Sequence, residues 1–485
     1  MHPATVQVRR LRSPAQFSEH MASVGASIGF DTTVTPGPAG PLARATELAG
    51  RRLGNRLAIL PMEGWDGGVD GTPTELVRRR WCRFGESGAK LIWGGEAVAI
   101  RSDGRANPRQ LVMSEETVGP LGALRQELVD THERAVGRCD DLVVGLQLTH
   151  SGRFARPTGE WAPRIAYRHP LLDRRVRAAA GSVLADDDLD VLVADFVRAG
   201  VLAQDAGFDF VDVKCCHGYL LHELMSAFDR PGRYGGDFEG RSRFLRSVIE
   251  GVTAAAPELA IGVRVSAFDV VPHRRGTDGR GEPEATGPYR YAFGGDGTGA
   301  GVDLEEPNRL LSLCEELGVA AVCITAGSPY YCPHVQRPAS YPPSDGYVPP
   351  RDPLVDVARL LAATAELKRR HPRLLVVGSG YSYLQEWLPN VAQRQIADGA
   401  VDVIGLGRMA LSYPRLAADV LAGRPLQRRS LCRTFSDCTT APRNGLVSGC
   451  YPLDDHYKHS PERVTLAAVK RRSPLTAGDD DGNRP

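Results

Sequence analysis

The chain has 485 residues, with 59 Lys and Arg against 58 Asp and Glu, so its formal net charge is +1. A domain usually runs to roughly 100–200 residues and an α/β barrel to about 250 or more, so this length holds one large domain with additions or two to three ordinary ones. Near-neutral charge removes the usual argument for nucleic-acid or anionic-membrane binding, no run approaches the roughly 18 apolar residues of a membrane span, and 42% hydrophobic residues gathered in compact runs exclude global disorder.

The N-terminus, MHPATVQVRRLRSP, is basic but lacks an apolar segment, which argues against a secretory signal and predicts a cytoplasmic protein. Residues 1–50 form a loosely patterned extension punctuated by Pro and Gly. Eight short runs rich in Val, Ile and Leu then follow in order: 57–62, 90–93, 142–148, 208–213, 259–265, 320–325, 374–378 and 401–406. Continuous apolar runs of this length suit strands buried on both faces of a parallel sheet. Between them lie segments with apolar residues three and four apart, at 187–207, 239–255, 303–318, 354–371 and 384–399. Gly88, Gly207, Gly318 and Gly399 stand where such helices would end.

Eight strand–helix units predict a TIM (β/α)8 barrel over residues 51–425. An open doubly wound sheet is the structural alternative, but no Gly-x-Gly-x-x-Gly follows the first strand. Residues 271–302 read as a long flexible excursion over the catalytic face. Residues 426–470 form a Cys-containing C-terminal extension, and 471–485 a disordered tail with nothing to bury. The scattered cysteines read as reduced, buried thiols.

In such a barrel, function sits where strands end. Those ends carry Pro61-Met62-Glu63, Gly95-Glu96-Ala97, Gln147, Lys214-Cys215-Cys216-His217-Gly218-Tyr219, Arg264, Gly378-Ser379-Gly380 and Gly407-Arg408, with His334 beyond strand six. Glycine-rich turns after strands seven and eight, with an adjacent arginine, suit a phosphate site and imply a phosphorylated ligand.

The run AGFDFVDVKCCHGYLLHELMSAFDRPGRYGGDFEGRSRFL resembles the strand-four signature of the old yellow enzyme family of FMN-dependent oxidoreductases. Its nearest likeness is to the NADH:flavin oxidoreductases related to 2,4-dienoyl-CoA reductase and trimethylamine dehydrogenase. NRLAILPM, LQLTHSGR, IGVRVSAFD and VDVIGLGRMALSYP fall in that family's order. The resemblance implies FMN as cofactor, NAD(P)H as electron donor and a small-molecule substrate, with a homo-oligomer allowed. It implies that Met62, Glu63, Ala97, Gln147 and Arg264 border the flavin ring. Gly378, Ser379, Gly380, Gly407 and Arg408 would cradle its phosphate. Tyr219 would donate a proton to substrate carbon, with Lys214 and His217 holding the substrate oxygen where relatives carry His and then His or Asn. His334 matches, loosely, a second catalytic histidine.

Relatives in the dienoyl-CoA reductase subgroup carry a four-cysteine iron–sulfur motif after the barrel. Here only Cys432, Cys438 and Cys450 remain, without the short C-x-x-C, so a cluster is disfavoured and no metal is expected. Two other activities stay open. The same chemistry run backwards would oxidise an amine or an alicyclic ring. In a different class, Lys214 would act as the Schiff-base lysine of a barrel lyase.

Overall fold

Strands buried on both faces need partners on both edges, and closure into a cylinder supplies them without leaving an open edge. The computed structural model describes residues 6–472. Its centre is eight parallel strands: β1 (Leu57–Ile59), β2 (Leu91–Ile92), β3 (Val143–Thr149), β4 (Phe210–Cys215), β5 (Ala260–Ser266), β6 (Ala321–Thr325), β7 (Leu375–Gly378) and β8 (Val403–Leu406). Each pairs with its neighbours in chain order, and β8 pairs back onto β1. The closed TIM barrel expected from the sequence is therefore the observed architecture. A short strand, Ala97–Ala99, continues β2 after the turn at Gly94 and Gly95 and pairs with the outer half of β3. A Cβ on Gly94 would lie 2.8 Å from the backbone nitrogen of Gln147, so only glycine lets the two strands meet there.

The helical layer comprises α1 (Glu75–Gly85), α2 (Val118–Val136), α3 (Asp186–Asp205), α4 (Phe238–Ala255), α5 (Glu305–Glu316), α6 (Pro353–Arg370), α7 (Leu388–Ala397) and α8 (Leu416–Leu421). Side chains of Thr74, Asp237 and Asp352 accept from backbone N–H groups at the starts of α1, α4 and α6. The helix expected over 384–399 is split. A 3-10 segment, Tyr381–Trp387, precedes α7, and it is itself kinked at Gln385, which has φ 51°. Pro389 explains the break, because proline is accommodated in a first helical turn and not in an interior.

The barrel interior is filled from below by Trp93 and Phe210, whose rings sit 5.3 Å apart edge to face. Gly145 and Gly262 leave room for them: a Cβ on Gly145 would lie 2.3 Å from the Phe210 ring, and one on Gly262 would lie 3.1 Å from Trp93. Leu48 and Leu53, from the antiparallel hairpin Thr46–Leu48 and Arg51–Leu53, join this inner cluster. The N-terminal extension is thus built into the fold. Its helix Pro14–Ser23 presents Phe17, which stacks on Trp387 with ring centroids 4.8 Å apart.

The 271–302 excursion is pinned rather than loose. It folds a hairpin (His273–Arg275 with Gly281–Pro283), Arg174 donates to Glu284 at 2.7 Å, and Tyr289 meets the His169 ring at 2.8 Å. The last helix runs Glu462–Arg472, and the remainder of the tail expected to be disordered lies outside the described residues. Among the described residues no helix is long and apolar enough to cross a membrane. Because the Trp93–Phe210 plug depends on a missing Cβ, Gly145→Ala should destabilise the protein by about 1–3 kcal/mol. Equilibrium denaturation followed by circular dichroism checks this, and an unchanged midpoint would refute the packing account.

Candidate active site

At the C-terminal ends of the strands lies a cavity of about 240 Å³. Met62 and Glu63 reach it from the loop after β1, Ala97 from the strand that continues β2, and Gln147 from β3. Lys214 comes from β4, His217 and Tyr219 from the turn that follows it, and Arg264 from β5. Ser379 and Gly380 follow β7, and Gly407 and Arg408 follow β8. Two residues singled out from the sequence do not line it. Gly378 ends β7 beneath the cavity, where a Cβ would meet the Tyr381 hydroxyl at 2.8 Å. His334 is buried outside it, 2.8 Å from the Tyr347 hydroxyl and packed on the His273 ring. His150 is buried too, and its Nδ1 accepts from the Gly152 N–H.

Beneath the cavity floor sits Asp212, fully buried on β4. Its Oδ2 accepts from Trp93 Nε1 at 2.6 Å and from Gln147 Nε2 at 2.5 Å. The amide nitrogen of Gln147 is thereby committed inward, which leaves its carbonyl oxygen for a ligand. Burial pushes the Asp212 carboxyl up to about 6, against the pull of Gln147 and Arg264. In the β4–β5 register Lys214 stands directly opposite Arg264, so two cations share one face. Burial lowers the Lys214 ammonium, with Arg264 adding to the effect and Glu63 opposing it. Its Nζ lies 4.1 Å from the centre of the Tyr219 ring. Glu96, at the end of the second strand, does not reach Lys214 but is committed to Arg80 at 2.5 Å and to Trp81 Nε1.

Glu63 accepts from Asn107 at 2.7 Å, and burial raises its carboxyl to about 7 although Lys214 pulls it down. The Tyr219 and Tyr330 hydroxyls are 2.9 Å apart, and burial holds Tyr219 well above its usual range, so it stays a phenol. His217 adopts φ 65°, a left-handed conformation unusual for a side chain with a Cβ. Two contacts hold it there: its N–H donates to Ser266 Oγ at 3.2 Å, and its carbonyl accepts from Ser328 Oγ at 2.7 Å. Burial, helped by Arg264 and Lys214, keeps its imidazole well below the usual range and therefore neutral.

Among the described residues five cations line the cavity (Lys214, Arg264, Arg337, Arg408 and Arg443), whereas Glu63 is its single acidic residue. Arg264 Nε and Arg408 Nη1 are buried without a hydrogen-bond partner. Buried donors of this kind carry a desolvation cost that an anionic or electron-rich ligand would relieve. Gly380, at φ 93°, requires glycine, and a Cβ on Gly407 would meet nothing closer than 3.7 Å, so that side of Gly407 is open. A phosphorylated, planar cofactor such as FMN fits this donor set.

Sequence reasoning singled out none of the residues of the roof, and it did not foresee that the C-terminal extension contributes to it. Trp65, Pro329, Tyr330, Arg337, Thr439, Arg443 and Ser448 complete the wall. The C-terminal extension thus closes the mouth, tethered where the Ser448 N–H donates to the Gly64 carbonyl at 3.2 Å. Of the four loops that the sequence assigns to the substrate pocket, 63–75 and 328–350 reach the cavity, whereas no residue of 153–175 or 271–302 does. Cys432, Cys438 and Cys450 converge on a separate small cavity of about 20 Å³, and burial raises the Cys432 and Cys450 thiols. Among the described residues no group of three or more metal-ligating side chains is assembled.

Residues 51–281 match the NADH:flavin oxidoreductase / NADH oxidase family. An NADPH dehydrogenase of Bacillus subtilis strain 168 is 29% identical over 227 residues, 45% of this chain and 61% of that protein. The chain spans about half the length of the curated relatives it matches. Among solved structures, a 2-naphthoyl-CoA reductase superposes with a TM-score of 0.65 at 15% identity, covering 88% of this chain and 58% of that one. Histamine dehydrogenase from Rhizobium sp. 4-9 gives 0.60 at 18% identity, with 85% and 52% covered. At such identities the structures establish the shared fold.

Because Glu63 and Asp212 titrate higher folded than in an unfolded chain, whose values lie near 4, both oppose folding increasingly as pH climbs to about 7 and about 6 respectively. Infrared difference titration should show a protonated carboxyl that is lost near pH 7 and is missing from Glu63→Gln. A wild-type spectrum without that band would refute the assigned environment.

Proposed function

The chain carries the NADH:flavin oxidoreductase / NADH oxidase family match over residues 51–281, and on that premise we propose that it is an FMN-dependent NAD(P)H oxidoreductase acting on activated alkenes. The observation that carries this is the convergence of Lys214, His217 and Tyr219 with Arg264 on one cavity whose other end offers Ser379, Gly380, Gly407 and Arg408. FMN would be held by Gln147 and Arg264 at its ring and by Arg408 with the two glycine turns at its phosphate, with Ala97 and Met62 bordering it. Once reduced by NAD(P)H, the cofactor supplies a hydride to the β-carbon of an alkene conjugated to a carbonyl or thioester.

The protein's share rests on its own groups. Lys214, made more acidic by burial, donates to the oxygen on which negative charge develops, as an oxyanion hole does. His217, held neutral, is aimed at the same region by its left-handed backbone. Tyr219 keeps its proton in the resting site and is therefore an acid rather than a base; it delivers that proton to the α-carbon. Arg264, opposite Lys214 in register, adds fixed positive charge where the reduced, anionic flavin ring would lie. Glu63 sets a pH limit. Below about 7 it is neutral and leaves Lys214 free to donate; above, its carboxylate competes for the ammonium. Alkene reduction should therefore fall as pH rises through neutrality, and Glu63→Gln should flatten that limb.

The oxidising direction, on an amine or an alicyclic ring, is the second reading. Glu63 favours it, since a carboxylate titrating near neutrality can accept a substrate proton. A Schiff-base reaction would also use the lowered Lys214, and borohydride trapping of a substrate adduct would reveal it. The deciding experiment is a visible spectrum before and after anaerobic NADH or NADPH, followed by addition of an enone. A flavin spectrum that bleaches and then returns is expected. Protein that is colourless and takes up no added FMN would overturn the proposal. Tyr219→Phe should leave bleaching intact and slow the return by about 10²–10⁴-fold; an unchanged return would remove Tyr219 as proton donor.

A further inference from the structure

The cavity holds more positive charge than the proposed cofactor uses. With FMN bound as above, Arg264 faces the ring, Arg408 the phosphate and Lys214 the reacting oxygen, which leaves Arg337 and Arg443 of the five lining cations. The two are not equivalent. Arg443 is already paired, its Nη1 donating to Asp345 at 2.7 Å and its Nη2 to the Pro329 carbonyl at 3.1 Å. Arg337 donates through Nη1 to Thr439 Oγ1, a neutral acceptor, whereas its Nη2 is buried without a hydrogen-bond partner. Among the described residues it forms no ion pair. A guanidinium N–H that has lost water and gained no acceptor is costly until one arrives. In agreement, burial and the nearby Arg443 and Arg408 bring Arg337 down to about 9.

Its place in the loop after β6 tells which ligand it faces. The preceding residue, Gln336, has its side-chain nitrogen 3.2 Å from His217 Nε2. The next residue, Pro338, accepts from Arg408 at 2.7 Å. Arg337 therefore stands between the reacting end and the phosphate end of the cavity. Arg443 reaches the same wall through Pro329, beside the Tyr330 that bonds Tyr219. Thr439 and Arg443 belong to the C-terminal extension, so this wall is the roof of the cavity rather than its floor. Resting on the FMN proposal, we infer that Arg337, oriented by Thr439 and backed by Arg443, is an anion subsite for a carboxylate carried by the substrate away from its reacting double bond. The planar fork of a guanidinium, with one N–H spent on Thr439, matches a carboxylate oxygen pair better than a diffuse charge.

Benzoate and benzamide, alike in shape and different in charge, test this by calorimetric titration of the FMN-loaded protein. Wild type should bind benzoate at least about tenfold more tightly than benzamide. Arg337→Met should bring the two within about twofold, and Thr439→Val should reduce the preference in part, because the guanidinium loses its support. Flavin absorbance, read on every sample, should be unchanged. Benzoate binding no tighter than benzamide in wild type, or absence of binding by both, overturns the inference. So does a preference that survives Arg337→Met. Loss of FMN from Arg337→Met would overturn it as well, by assigning the arginine to the cofactor phosphate. If Arg337→Met does not fold, the wild-type comparison and Thr439→Val still decide. Failure of the oxidoreductase proposal is seen separately, as protein that neither holds nor takes up FMN, since benzoate discrimination is read without turnover.

Discussion

One buried carboxylate holds the barrel and the cavity together. Asp212 has no exposure to water, yet it accepts from the indole that fills the barrel and from the amide that faces the cavity. A carboxylate in such a place is tolerated only when donors and cations offset its desolvation. Here Trp93 and Gln147 supply the donors, while Arg264 on the neighbouring strand and Lys214 two residues along the same strand supply the charge. The dependence is mutual. Without Asp212 the two cations of the β4–β5 register would lose the counter-charge they share, and Gln147 would have no fixed orientation. The interior packing, which rests on Gly145 and Gly262 admitting Phe210 and Trp93, sets the height at which all of this happens.

Two parts of the chain divide the cavity between them. The floor is made by strand ends, whose positions the barrel hydrogen bonds determine to within a fraction of a residue. Such rigidity suits groups that must be held against a planar ring. The roof comes from the loop after β6 and the C-terminal extension, joined to the floor by contacts such as Ser448 to Gly64. Loops vary with less consequence for folding than strands do, so specificity can change in the roof while the chemistry beneath is kept. The distribution of charge obeys the same division, with Lys214, Arg264 and Arg408 below and Arg337 and Arg443 above.

The barrel was legible because burial on both faces leaves an unbroken apolar run, and all eight runs became strands. The residues at strand ends were legible for the same reason: once the strands are placed, chain order alone puts Lys214, Arg264 and Arg408 at the rim. Less local features were hidden. Nothing in the FDFVDVK run distinguishes Asp212 from a surface carboxylate until β4 is closed into a cylinder. Arg337 and Arg443 are 106 positions apart (443 − 337) and meet only through tertiary folding. His334 sits on the same loop as Arg337 yet points to Tyr347, an outcome decided by the direction of a four-residue helix, Pro333–Gln336. The 271–302 segment looked unanchored because its partners, His169 and Arg174, lie more than 100 residues earlier.

The tether from Ser448 to Gly64 also imposes an order on assembly. Synthesis proceeds from the N-terminus, so every barrel strand is made before Thr439, Arg443 and Ser448. A nascent barrel thus presents its cavity uncovered, wide at the top, to whatever phosphate-bearing molecule is present. Closure comes afterwards, as residues 438–448 lie down across the opening. A cofactor taken up before that moment would be trapped rather than merely bound, and its escape rate would be that of lifting the segment held by Ser448.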